Sequence, residues 1–162
     1  MNKIAVVGIS GSGKSTVARK LAEKTDLPLF HMDQLFWKGN WEAIPEADYL
    51  IGHKELINKP KWIIEGYVDE KMSDRLKMAD LVLYLDYSGV RSVWHVLRRW
   101  LKHRKESRPE LPAEAREKLK LKFLWVVLTQ GERKGIEEAI KLASPQNIKR
   151  FRSPASLERF LL

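Results

Sequence analysis

Residues 8–15 read Gly8-Ile9-Ser10-Gly11-Ser12-Gly13-Lys14-Ser15, a complete G-x-x-x-x-G-K-S pattern. The run Lys3-Ile4-Ala5-Val6-Val7 before it is short, apolar and bounded by polar residues, which predicts a buried strand. After it, Val17, Ala18, Leu21 and Ala22 recur at helical spacing. Strand, glycine loop and helix form the context in which the pattern carries chemistry. The glycines let backbone N–H groups turn inward on phosphate oxygens, and the helix adds its positive end. Gly8, Ser10, Gly11, Ser12, Gly13 and Thr16 are then expected around the phosphates of ATP. Lys14 is expected on the β/γ-phosphates, with the Ser15 hydroxyl on Mg²⁺.

The 162 residues predict one domain, 1–162, large enough for a real core. With no cysteine, the chain has no disulfide scaffold, thiolate metal site or thiol nucleophile. No signal peptide is expected, because only a few apolar residues follow Lys3 before the glycines. No stretch approaches ~18 apolar residues, so no membrane span is expected and the cytoplasm is the default location. The net charge of +9 is unevenly spread. Residues 1–90 hold 12 Lys+Arg against 13 Asp+Glu, and residues 91–162 hold 18 against 8. A basic half beside a balanced half suits a pocket for polyanions. It also predicts weak, non-specific, salt-sensitive attraction for nucleic acid.

Further strands are predicted at Leu27–His31, Trp62–Ile64, Leu81–Leu85 and Asn147–Phe151. Helices are predicted at about 46–58, 70–79, 88–102, 114–130 and 136–143, with a last one opened by Ser153-Pro154. In the helix at 88–102, Val90, Val93, Trp94, Leu97 and Leu101 share one face and are expected to form its buried stripe. Continuous apolar strands alternating with helices give a three-layer α/β/α architecture around a five-stranded parallel sheet. Insertions at about 32–60 and 103–115 fall beyond strand carboxyl ends, where ligands bind in such sheets.

Three groups of residues carry candidate chemistry. Glu65 and Asp86 end strands and are candidate metal carboxylates beside Ser15, since one hydroxyl offers Mg²⁺ little charge. Asp33 is placed to accept a proton or hydrogen bond from an acceptor hydroxyl. Trp37, Trp41, Gly66 and Tyr67 are candidates for lining an acceptor pocket, and Arg152 for bordering the nucleotide. Arg98, Arg99, Lys102, Arg104, Lys105 and Arg108 lie within eleven residues, opposed only by Glu106. Guanidinium groups suit charge developing on a transferring phosphoryl group, so this run reads as a catalytic lid. His31 reads as a structural residue, and the histidines at 31, 53, 95 and 103 share no metal-ligand spacing.

On Gly8–Thr16, Leu27–Trp41, Trp62–Tyr67, Arg75, Ala79-Asp80, Leu83–Asp86, Arg98–Pro109 and Phe151–Ser153, the chain resembles the adenylate-kinase-like P-loop kinases. More narrowly it resembles the DNA topology modulation proteins, chiefly through His31-Met32-Asp33-Gln34-Leu35-Phe36-Trp37. The resemblance implies a P-loop kinase fold, an acceptor-binding insertion after the second strand and an arginine-bearing lid after the fourth. It also implies that Glu65-Gly66 matches the acidic residue and glycine that organise Mg²⁺. Arg98 or Arg99 matches the arginine leading into the lid, and Arg104 and Arg108 match those inside it. Where adenylate kinases hold the acceptor phosphate with an arginine three residues after that glycine, this chain has Asp69, which makes Arg75 the next candidate.

The leading expectation is therefore an Mg²⁺-dependent kinase moving the γ-phosphoryl group of ATP to a nucleotide or other small acceptor. An ATPase or ATP-binding regulator acting on DNA or another macromolecule is the alternative. A nucleic-acid-binding protein with a vestigial loop is the third reading.

Overall fold

A computed structural model describes residues 1–38, 42–103 and 121–161. Ile4, Ala5, Val6 and Val7 are fully buried in the strand β1, Lys3–Gly8. The glycine loop then leads into α1, Lys14–Thr25. The chain continues through β2, Leu29–His31, and α2, Met32–Phe36, into the small hairpin of β3, Trp37–Lys38, and β4, Glu42–Ala43. Next come α3, Glu46–Ile57, and β5, Trp62–Glu65. A 3₁₀ turn at Glu70–Met72 precedes α4, Asp74–Met78, and β6, Leu81–Leu85. The remainder is α5, Gly89–His103; α6, Leu121–Leu128; α7, Arg133–Ala143; β7, Ile148–Phe151; and α8, Pro154–Leu161.

The main sheet has five strands in the order β2-β5-β1-β6-β7, with every pairing parallel. Alternate side chains along each strand point to opposite faces. Ala5, Val7, Trp62, Ile64, Val82 and Tyr84 meet Tyr49, Ile57, Leu76, Ile136 and Ala139 of α3, α4 and α7. Ile4, Val6, Ile63, Leu81, Leu83 and Leu85 meet Val17, Ala18 and Leu21 of α1 and Leu157 of α8. Burial on both faces explains why the strands read as unbroken apolar runs rather than alternating ones. The expected three-layer architecture and five-stranded parallel sheet are what the chain adopts.

Several boundaries differ from those expected. β2 begins at Leu29 rather than Leu27; its pairing starts where the Pro28 carbonyl accepts the Ile63 N–H at 2.7 Å. The helix expected over 70–79 divides in two, with Asp69 accepting the Lys71 N–H at 3.1 Å to cap the 3₁₀ turn. α7 begins at Arg133 and runs through Gly135. The start of the helix expected at 114 lies outside the described residues.

The buried stripe expected on α5 is the larger correction. Val90, Trp94 and Leu101 are 71%, 55% and 59% exposed, while Ser92 and Val96 are buried. The cause is the glycine loop. A Cβ on Gly11 would lie 2.4 Å from the Ser92 carbonyl oxygen, so helix and loop meet backbone to backbone. Such contact demands a small residue on the inward face, and Ser92 supplies it.

Candidate active site

The parallel register levels the strand ends. His31 pairs with Glu65, Val6 with Glu65 and Gly8 with Leu85. Gly8, His31 and Glu65 therefore share one edge of the sheet, the carboxyl edge on which such folds bind ligands. The loop turns above it. Gly13 sits at φ 86°, where an L side chain is strained, and its carbonyl accepts the Thr16 and Val17 N–H groups at 3.1 and 3.2 Å to open α1.

Glu65 is the centre of a compact network. Its Oε1 lies 2.7 Å from His31 Nδ1 and accepts the Ser15 hydroxyl at 3.1 Å. Only 3% of Glu65 is exposed. Burial pushes its carboxyl up, but the His31 contact, the Lys14 charge and the Ser15 hydroxyl outweigh this and hold it below the usual carboxylate range. The result is an ionised carboxylate fixed beside the start of α1. Hydroxyl and carboxylate oxygens are the hard donors Mg²⁺ prefers, so Ser15 and Glu65 fit that cation.

Other loop donors are engaged within the protein. Lys14 Nζ donates to the Ile9 carbonyl at 3.0 Å. The Ser10 N–H and hydroxyl both donate to the Glu132 carboxylate, at 2.5 and 2.8 Å. The Ser12 hydroxyl is buried with no hydrogen-bond partner among the described residues.

Beside this network lies a buried polar cluster. Arg75 on α4 is fully buried, and its Nη2 donates to the Tyr67 carbonyl at 2.6 Å and the Gly66 carbonyl at 3.5 Å. Its Nε and Nη1 have no partner among the described residues. Burial lowers its pKa to about 10, partly offset by Tyr49, Glu65 and Asp69, so it remains a cation at neutral pH. His53 of α3 is 3% exposed, and burial together with the Arg75 charge lowers its pKa to about 4. Burial raises the Tyr49 phenol to about 12, with Asp33 and Asp69 adding to the rise against Arg75. Phe36 stacks edge-on against Trp37 and Tyr49 at 4.6 and 5.0 Å. Gly66 is tightly packed: a Cβ there would lie 2.7 Å from the Met32 Cβ.

The structure thus brings together Ser15, Glu65 and the loop, and sets Gly66, Tyr67 and Arg75 beside them. Asp33 lies in the first turn of α2, directly after the strand that carries His31. Trp37 opens the hairpin that follows α2. Asp86, expected as a metal carboxylate, is committed elsewhere. It accepts Arg133 Nη2 and Arg150 Nε at 2.9 Å each, and Arg152 Nε lies 3.8 Å away. These guanidinium groups satisfy a carboxylate that is 4% exposed, leaving it little capacity for a cation. Arg152, expected near the nucleotide, has a side chain 79% exposed beside Asp86. Arg98 lies on the exposed face of α5, its guanidinium 5.4 Å from the Trp94 ring centroid. The Arg99 side chain, Trp41, Arg104, Arg108 and most of the expected lid lie outside the described residues.

Two contacts at the glycine loop and Glu65 escaped the sequence reading. His31, taken as structural, bonds the central carboxylate; its signal was its place at a strand's carboxyl end, the same signal that marked Glu65. Glu132 directly precedes α7, and nothing local in the sequence links it to Ser10, 122 residues away.

No family model matches the chain, and no curated protein matches it. Solved structures do. A sugar kinase from Janibacter sp. HTCC2649 is similar with a TM-score of 0.61 at 19% identity, covering 99% of this chain and 92% of that one. The shikimate kinase from Acinetobacter baumannii, solved with shikimate, is similar with a TM-score of 0.58 at 17% identity, covering 99% and 93%. At these identities the likeness concerns the fold: the chain shares the three-layer α/β/α architecture of these two structures.

Proposed function

We propose that the protein is an Mg²⁺-dependent kinase that moves the γ-phosphoryl group of ATP to a hydroxyl of a small acceptor. The observation that carries this reading is the Ser15–Glu65–His31 network at the mouth of the glycine loop, with Lys14 beside it. Lys14 and the loop N–H groups bind the phosphates. Ser15 and Glu65 would hold Mg²⁺, which would supply charge neutralisation for the triphosphate. His31 fixes the Glu65 carboxylate, so the metal site is set before ligands arrive.

The acceptor is assigned to Asp33, Trp37, Gly66, Tyr67 and Arg75, and Trp41 is a further candidate by its sequence position alone. Asp33 takes the proton of the acceptor hydroxyl. The hydroxyl oxygen bonds to the γ-phosphorus as the bond to the bridging oxygen breaks, and ADP leaves. The unpaired N–H groups of Arg75 suit an anionic group on the acceptor, because a buried guanidinium gains most from a carboxylate or phosphate. Arg99, Arg104 and Arg108 provide the cations for the transferring group, while Arg98 leads into that segment from the exposed face of α5, over the Trp94 ring. The narrower likeness to adenylate kinases and topology modulation proteins belongs to this proposal. A nucleotide acceptor remains within it, although Asp69 stands where adenylate kinases place an arginine.

A macromolecular substrate is less favoured. Two arginines of the basic half, Arg133 and Arg150, are spent on Asp86 and Glu137 rather than held free for a polyanion. The test is a transfer screen with γ-labelled Mg·ATP against nucleoside monophosphates, nucleosides, sugars and hydroxy acids. A labelled acceptor supports the kinase. Free phosphate as the sole labelled product, with every acceptor present, favours the ATPase.

A further inference from the structure

The Glu132 carboxylate grips the loop as a phosphate would. One oxygen takes the Ser10 N–H at 2.5 Å and the other takes the Ser10 hydroxyl at 2.8 Å. Ser10 stands in the third position of the glycine pattern, within the cradle itself. Its partner comes from the far end of the chain, 122 residues away. Local helix capping does not explain the contact: Glu132 precedes α7, and its side chain makes no capping bond there.

The turn that presents Glu132 is anchored independently of that carboxylate. Arg133 donates to Gln130 Oε1 and to Asp86 Oδ2, each at 2.9 Å. Gln130 Nε2 donates to the Tyr87 carbonyl at 3.0 Å. The Arg133 N–H also closes on the Gln130 carbonyl at 2.8 Å. Backbone and neighbours therefore stay fixed if the glutamate swings away. Release needs only side-chain rotation, and Glu132 is half-buried, so its carboxylate has a route to solvent.

We infer that Glu132 is an internal competitor for the phosphate cradle: its carboxylate holds the Ser10 donors until a nucleotide polyphosphate displaces it. The inference rests on the nucleotide-binding reading above. Its consequence is a tuned affinity. Mg·ATP must break two charge-assisted hydrogen bonds and push out a like charge before the loop can close on phosphate. Lys14, folded onto the Ile9 carbonyl, belongs to the same self-satisfied state and turns outward when the anion arrives.

Calorimetric titration of Mg·ATP into the full chain tests this with four proteins: wild type, Glu132→Gln, Glu132→Ala and Lys14→Ala. Glutamine keeps the shape and removes the charge; alanine removes both. Both Glu132 variants should bind Mg·ATP about ten-fold to a hundred-fold more tightly than wild type, the range expected for a lost charge-assisted competitor. Lys14→Ala should lose binding. If wild type binds, Lys14→Ala does not, and both Glu132 variants bind no more tightly than wild type, the competitor is refuted while the nucleotide site stands. If wild type and both Glu132 variants all fail to bind Mg·ATP, both readings fall together. Tightening in Glu132→Ala alone also refutes the inference, because it would assign the effect to bulk rather than charge.

Discussion

Replacing Glu65 with Gln separates the role of this residue in the fold from its role at the metal. The side chain keeps its shape and loses its charge. Two contacts change character: the 2.7 Å contact with His31 Nδ1 and the 3.1 Å bond from Ser15. Charge-assisted bonds contribute about 1.5–3 kcal/mol each and neutral ones about 0.5–1.5 kcal/mol, so the folded state loses roughly 1–3 kcal/mol. Against this, an ionised carboxylate that is 3% exposed pays a desolvation penalty of several kcal/mol, which glutamine avoids. The two effects nearly cancel, and stability should change by no more than about 1–2 kcal/mol. Catalysis has no such compensation. One unit charge at about 4 Å and an effective dielectric of 20 is worth about 4 kcal/mol, on the order of 10³-fold. The assays are urea unfolding and a Mg²⁺ titration of ATP turnover. A small stability change with a loss of about 10²-fold or more in turnover at saturating ATP is expected. Turnover and Mg²⁺ half-saturation within about three-fold of wild type would refute the placement of Glu65 at the metal.

Gly11→Ala should destabilise the fold by about 3 kcal/mol or more, because φ 78° strains an L residue and its Cβ would press on the Ser92 carbonyl at 2.4 Å; a urea midpoint equal to wild type contradicts the close approach of α5 to the loop. His53 gives a pH dependence. Its folded pKa of about 4 lies below the unfolded 6.5, so the unfolded state binds more protons between those values. Stability is then full above pH ~6.5 and falls as pH drops toward 4, by up to about 3 kcal/mol. His53→Gln should flatten the urea midpoint against pH over that window, and an unchanged slope would assign the effect elsewhere. Among the arginines, Arg104→Ala and Arg108→Ala should lower kcat by roughly 10³-fold with modest change in ATP affinity. Arg98→Ala, whose guanidinium lies over the Trp94 ring on an exposed face, should change kcat by only a small factor. Equal small losses at all three positions would make the cluster a surface feature.

The sheet was legible because its information is local. A strand buried on both faces must be apolar throughout, as Ile4–Val7 and Leu81–Leu85 are. The glycine pattern then marked which strand came first. Burial partners were less legible. Periodicity located the apolar stripe of α5 but carried no information about what covers it, and the inward face was set instead by the room the Gly11 backbone leaves. At the site, Glu65 was legible by strand position. His31 was read as structural, but its partner was not legible, because a lone histidine carries no signal until parallel register sets it opposite Glu65. Asp86 has the same sequence signature as Glu65, yet arginines from α7 and β7 take it. No local pattern announces such long-range pairing, and Glu132 on Ser10 escaped for the same reason.

The central claim is phosphoryl transfer at the glycine loop, and phosphorus NMR tests it most directly. The protein is mixed with Mg·ATP and a pool of small hydroxylated anions, and the γ-phosphorus is followed in wild type and in Lys14→Ala. In wild type the γ resonance should give way to ADP and a new phosphate-ester resonance. In Lys14→Ala, with circular dichroism unchanged, the γ resonance should persist. An ester formed at equal rates in both proteins, or inorganic phosphate as the only product in wild type, would contradict the account.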